Sequence, residues 1–191
     1  MLLFRIICLS LFVGINALQA QVYRWSVKTL TDTAGQRIYH INPIQDSISG
    51  LADTIVNPRP SKNQLNKGKR ANAEKIKVTF TAYVLATGME DDGDYHLVME
   101  DLRDTKTLIA EIPNPESENL LDFKNLKQDF SHARNEIDTK IGKPSSTVKA
   151  LHKKVKVRVT GFIFFDKMAH GKGHALNGIE IHPVLEIEVL E

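Results

Sequence analysis

One helical stripe stands in a chain that is otherwise patterned with period two. Phe123, Leu126, Phe130, Ala133, Ile137 and Ile141 recur every three or four residues, the spacing of an amphipathic helix. Gly142 and Pro144 follow it, the pair that ends such helices. Before the stripe, Ile76, Val78, Phe80, Ala82 and Val84 alternate with Lys77, Thr79, Thr81 and Tyr83, a strand pattern beginning near Glu74. Asp94–Glu100 and Thr107–Ile112 read as two further strands. An acidic turn over 88–93 and a polar turn over 101–106 set them in a meander. After the stripe come Lys154–Phe165 and Ile179–Leu190. The chain is therefore expected to be mainly β with one helix. The order β-β-β-α-β-β is that of a five-stranded Greek-key barrel of the oligonucleotide/oligosaccharide-binding (OB) type. A sheet with one helix packed on it is the alternative.

The barrel is assigned to residues 75–191. Residues 1–20 have the form of a secretory signal: a basic start at Arg5, an apolar run from Ile6 to Ile15, and Ala20 at the expected cleavage site. That run is shorter than the ~20 residues needed to span a bilayer. The protein is thus expected to be exported, to the periplasm or the extracellular space, with no transmembrane segment in its mature form. Residues 21–45, with Val22–Val27 and Arg37–Ile41 flanking a turn, predict an arm or hairpin. Residues 46–74 are polar, broken by Pro58, Pro60 and Gly68, and predict a loop or linker.

Cys8, inside the signal, is the only cysteine. The mature chain therefore has no disulfide and no thiolate, and its stability must come from a packed core. Removing Arg5 with the signal leaves 24 basic against 23 acidic side chains. That near neutrality does not favour nucleic acid as a partner overall, although Lys154, Lys156 and Arg158 share one strand face with Phe162 and Phe164. The two aromatics are assigned to the core. There is no G-x-S-x-G and no complete phosphate-binding glycine loop.

The chemistry-bearing residues lie on strands at matching spacing. Asp94 and His96 are two apart, as are Glu180 and His182, so each pair shares a face. His96, His182 and Glu180, with Glu111, Asp94 and Asp166 as further carboxylates, are the donor types that suit a divalent metal such as zinc. The alternative is structural, with Glu111 pairing Arg103 or Lys106 and Glu180 pairing Arg158. A second candidate is the Gly- and His-rich loop over 166–178, where Asp166 could orient His170. The binding residues are therefore expected among Asp94, His96, Glu111, Asp166, His170, Glu180 and His182.

Several of these residues sit in motifs that recur together. Val27-Lys28-Thr29-Leu30-Thr31-Asp32, Asp94-Tyr95-His96-Leu97-Val98, Ala110-Glu111-Ile112-Pro113, Val159-Thr160-Gly161-Phe162 with Phe165-Asp166, His170-Gly171, and Asn177-Gly178-Ile179-Glu180-Ile181-His182-Pro183-Val184 stand in this order. The chain resembles an uncharacterised family of exported bacterial proteins that share these motifs. The resemblance spans most of the mature chain and implies one exported domain, with no activity attached. This chain departs from it at Lys172-Gly173-His174 and at Asn114 and Glu116-Ser117.

The function expected from these readings is an exported OB-like module binding an unknown glycan, nucleic acid or protein. The alternative is a metal-dependent hydrolase, a phosphodiesterase or nuclease, built on the strand His and carboxylate residues. Whether those side chains converge discriminates between the two.

Overall fold

The computed structural model describes residues 24–53, 60–61, 63, 65, 68–166 and 173–190. The signal segment with Cys8, and His170, fall outside them.

The main sheet is built where period-two alternation was found. Its strands are β1 (Ile44–Gln45), β2 (Lys77–Met89), β3 (Tyr95–Asp101), β4 (Thr107–Ile112), β5 (Lys149–Phe165) and β6 (Ile179–Val189). The expected five strands are thus six. The extra one, β1, is short and runs parallel to β2 at the sheet edge, beside Val78 and Thr79. Strand order is β1-β2-β3-β4-β6-β5, and β2 pairs with β5 as well as with β3. The pairings β2–β3–β4–β6–β5–β2 therefore return on themselves. All are antiparallel except β4–β6, which is parallel.

Alternation sends one set of side chains into a common core. Val78, Phe80, Ala82 and Val84 of β2 meet Tyr95, Leu97 and Met99 of β3, Ala110 and Ile112 of β4, and Val157, Val159 and Ile181 across the ring. Between β4 and β5 lies the predicted helix, Lys124–Lys140. Leu126, Phe130, Ala133 and Ile137 are its buried residues, and Phe123 and Ile141 pack at its ends. At its end Gly142 has a φ of 114°, and its N–H donates back to the Ile137 carbonyl. A residue other than glycine is strained there.

The N-terminal region differs from its expectation. Residues 25–28 and 33–38 are not the arms of a hairpin. They form two short helices, α1 (Trp25–Lys28) and α2 (Thr33–Ile38), separated by a turn at Leu30, whose φ is 59°. Asp32 caps α2 by accepting from the Gly35 N–H at 3.1 Å, a local bond that overrides the weak alternation on either side. The stretch expected to be a polar linker also contributes to the core. Its helix α3 (Ile48–Asp53) buries Ile48 and Leu51, and Leu65 is buried as well. The helix Lys124–Lys140 is accordingly α4. No helix among the described residues is long and apolar enough to cross a membrane.

Two buried arginines fasten this N-terminal segment to the barrel. Arg24 donates to Glu74 Oε2 at 2.5 Å and to the Phe165 carbonyl at 3.0 Å. Glu74 in turn accepts from the Ala71 and Phe165 N–H groups. Arg70 donates to the Val27 carbonyl at 2.7 Å, to Asp32 Oδ1 at 2.6 Å and to the Glu74 carbonyl at 2.9 Å. Every buried charge in this clamp has a partner, as burial requires.

Candidate metal centre on the outer sheet face

The side chains that alternate away from the core make a second face. Cross-strand register aligns them. His96 stands opposite Glu111, Val98 opposite Ile109, Ile109 beside Glu180, and Glu180 beside Phe164. The parallel β4–β6 register then carries His182 alongside Glu111. Asp94, just before β3, falls on the same side as His96 by parity. Val27, Ile109 and Phe164 are buried here yet lie outside the main core cluster. The N-terminal segment covers this face, with Arg24 and Lys28 both over the Phe164 ring. Gly173 closes the other side. A side chain there would lie 2.8 Å from Val98 Cγ1, so the returning loop runs flat against the sheet.

His182 is the centre of the arrangement and is fully buried. Its Nδ1 lies 2.8 Å from Glu111 Oε2 and its Nε2 lies 3.3 Å from Asp94 Oδ2. The atoms are close but not aligned. Neither ring nitrogen, nor Asp94 Oδ2, has a hydrogen-bond partner of proper geometry. A buried polar atom left so costs ~1–3 kcal/mol. Ligand atoms held ~2.0–2.2 Å from a zinc ion in a tetrahedron lie roughly 3.3–3.6 Å from one another. The His182–Asp94 separation of 3.3 Å fits that range, and the His182–Glu111 contact of 2.8 Å is shorter than it.

Glu111 joins two such groups. Its Oε2 faces His182, while its Oε1 lies 3.0 Å from His96 Nδ1. The same His96 nitrogen lies 3.0 Å from Glu90 Oε1. Asp94, Glu111 and His182 thus offer ligand atoms all within 4.8 Å of one another, as do Glu90, His96 and Glu111. The first group is buried. The second opens to solvent through Glu90, whose side chain is 47% exposed.

The acidic turn sets up these positions. Gly93 has a φ of 85°, and the Glu90 N–H donates to the Asp94 carbonyl at 2.9 Å. Asp94 Oδ1 accepts from the Asn114 N–H at 2.7 Å, which orients the other oxygen toward His182. Arg134 of α4 donates to the Gly93, Ile112 and Pro113 carbonyls, holding the turn against the end of β4.

Charge is strongly unbalanced here. Among the described residues, Glu90, Asp92, Asp94, Glu111, Asp166 and Glu180 face the cations Lys28 and Arg134. Lys28 Nζ lies 3.8 Å from Glu111 Oε2 and 4.0 Å from Asp92 Oδ2. Burial opposes its charge, but Glu111, Asp94, Asp92 and Asp166 outweigh burial and raise its pKa. Burial likewise opposes a charged His96, yet Glu111 and Glu90 carry its pKa up to about 9. For His182, burial and Lys28 push down, and Glu111 and Asp94 lift the pKa to about 9. Glu111 itself is held well below the ordinary carboxylate range, because its imidazole and Lys28 neighbours outweigh burial. Glu180 moves the other way, pushed up by burial.

Of the residues expected from sequence, Asp94, His96, Glu111 and His182 converge. Glu180 stands on the same face but is turned to His174, with Oε1 3.3 Å from Nδ1. Asp166 acts on Lys28 and Glu180 through its charge. The structural pairings considered for these carboxylates do not form. Arg158 bonds Glu188, Lys106 bonds Asp53, and Arg103 lies beside Asp101. Lys28, Glu90 and Asp92 were not anticipated. Glu90, Asp92 and Asp94 alternate within the acidic turn, which was a legible signal. Lys28 depends on the fold-back of α1, which was not. No protein-family model, no curated protein and no solved structure matches the chain.

Proposed function

We propose that this protein is an exported barrel of the OB type whose outer face holds a divalent transition metal and uses it to hydrolyse an ester, the phosphodiester class above all. The observation that carries the metal reading is the unaligned contact of His182 with Glu111 and Asp94 at the centre of a carboxylate-rich, buried cluster. Support for the barrel type comes from the closed circuit of pairings with its single parallel β4–β6 contact and a helix between β4 and β5. Support for export is the form of residues 1–20.

One His and two carboxylates give a donor set suited to zinc or manganese, with a position left for water. A metal so held would lower the pKa of a bound water toward neutrality and polarise the ester. Each side chain then has a task. Asp94, Glu111 and His182 would hold the ion. His96, on the open side between Glu111 and Glu90 and kept protonated by them, would give a proton to the leaving oxygen. Lys28 is placed to neutralise charge that grows on the substrate oxygens.

Elemental mass spectrometry of the purified protein, beside His182→Ala and Glu111→Gln variants, tests the site. Near-stoichiometric zinc or manganese that both variants lose, with metal-dependent turnover of an activated phosphodiester lost alongside it, is the expected result. Absence of metal after reloading sinks the proposal. Bound metal with no turnover of phosphodiesters or carboxyl esters leaves a metal-binding module instead.

A further inference from the structure

The outer face does not stop at the metal centre. On β3 it continues from His96 through Val98 to Glu100, about 13 Å along the strand at ~3.3 Å per residue. Beside Val98, β2 and β5 present only Ala86 and Ala150, neither buried, which leaves a shallow apolar saddle. Beyond it, Tyr83 stands between Glu100 and Lys156, and Thr81 pairs with Arg158. Lys154 bonds Glu100 and lies over the half-buried Tyr83 ring. The β2–β5 register slips between Val84 and Ala86, so residues 151–154 bulge outward and expose His152, Lys153 and Lys154 together. Lys153 and Lys156 are exposed with no acidic partner among the described residues. Carboxylates dominate one end of the face; at the other, where Glu100 and Glu188 pair with Lys154 and Arg158, amines are in excess.

We propose that this strip binds single-stranded nucleic acid and leads its backbone across the Ala86/Ala150 saddle to the metal centre. The lysines match a phosphate backbone, and Tyr83 offers a ring on which a base can stack, the combination that single strands require. The strip is a flat sheet surface one aromatic wide, with no element shaped to enter a duplex groove. Phe162 and Phe164, which share strand parity with the basic residues, are fully buried and take no part. The inference rests on the hydrolase reading for its consequence, but binding itself needs no metal.

The test is fluorescence anisotropy of a labelled oligothymidylate of about fifteen nucleotides, within the span one such barrel covers. The protein is stripped with EDTA and measured at several salt concentrations. Tyr83→Ala is expected to weaken binding about tenfold. Lys153→Glu with Lys156→Glu is expected to weaken it further and to lower the slope of log affinity against log salt by about 1.4. Circular dichroism of each variant checks that the fold is kept. Loss of metal by His182→Ala with oligonucleotide binding intact separates the strip from the metal centre. Binding to oligothymidylate that persists in the metal-free protein, when the metal test has failed, refutes the hydrolase and not the strip. No binding at low salt overturns the proposal. So does dextran sulfate binding as tightly as the oligonucleotide with no effect of Tyr83→Ala, which would mark a surface for anionic polysaccharide.

Discussion

His96 shows how one residue ties the chemistry of the site to pH. Its folded-state pKa is raised, because Glu111 and Glu90 outweigh the burial that opposes its charge. A raised pKa means that the protonated form is the one the fold favours. The stability this contributes is fully present below the ordinary 6.5 and is lost as pH rises through about 9. In EDTA, the melting temperature should therefore fall between pH 6.5 and about 9, and His96→Gln should flatten that descent. A metal reverses the sign. It competes with the proton for His182, whose pKa is likewise raised to about 9, so affinity should climb over the same window and binding should release protons. Titration calorimetry in two buffers of different ionisation enthalpy reads that release. Proton-independent binding would show that the imidazole does not ligate.

At the scale of elements, the N-terminal segment matters more than its length suggests. α1 has a single turn and no intrinsic stability as a helix. What holds it is the Arg24–Glu74 pair, fully buried on both sides. Breaking a buried pair by removing one partner costs about 3–5 kcal/mol. Arg24→Ala should lower stability to urea by about that much, and it should also weaken metal binding by uncovering the face. If metal affinity is untouched, α1 is only a cover. The strands, the long helix and its Gly142 stop were legible because each is fixed by a local period or a local breaker. α1 and α2 were not. Their short alternation gives way in α2 to the local Asp32 cap and in α1 to bonds from Arg70 and Glu74, remote in sequence. α3 was hidden for a related reason, since only Ile48 and Leu51 of its residues are buried.

At the scale of the molecule, the site is made of partners that only the closed ring brings together. The His96–Glu111 pairing follows from a meander and could be guessed. The placement of His182 beside Glu111 follows from the parallel β4–β6 contact, whose register no local pattern encodes. A metal would bridge the acidic turn, β4 and β6, and so couple folding to loading. At free metal one hundred times its dissociation constant, stability should rise by about 2.7 kcal/mol. Thermal unfolding should therefore shift upward with metal concentration in the parent protein, and should not shift in His182→Ala.

The contact between Arg24 and the Phe165 carbonyl spans 141 positions of chain. Its consequence is one of timing. α1 emerges first and has nothing to bind until β5 is made, and Glu111 meets His182 only when the last strand is delivered. If this chain is threaded through a translocation pore from its N-terminus, as the export reading implies, Asp94, Glu111 and His182 would cross before they are brought together. Non-local closure of this kind is slow to form. If the protein is exported and holds a metal as proposed above, its loading would wait for the compartment where translocation ends, and the metal supply of that compartment would set which ion it takes.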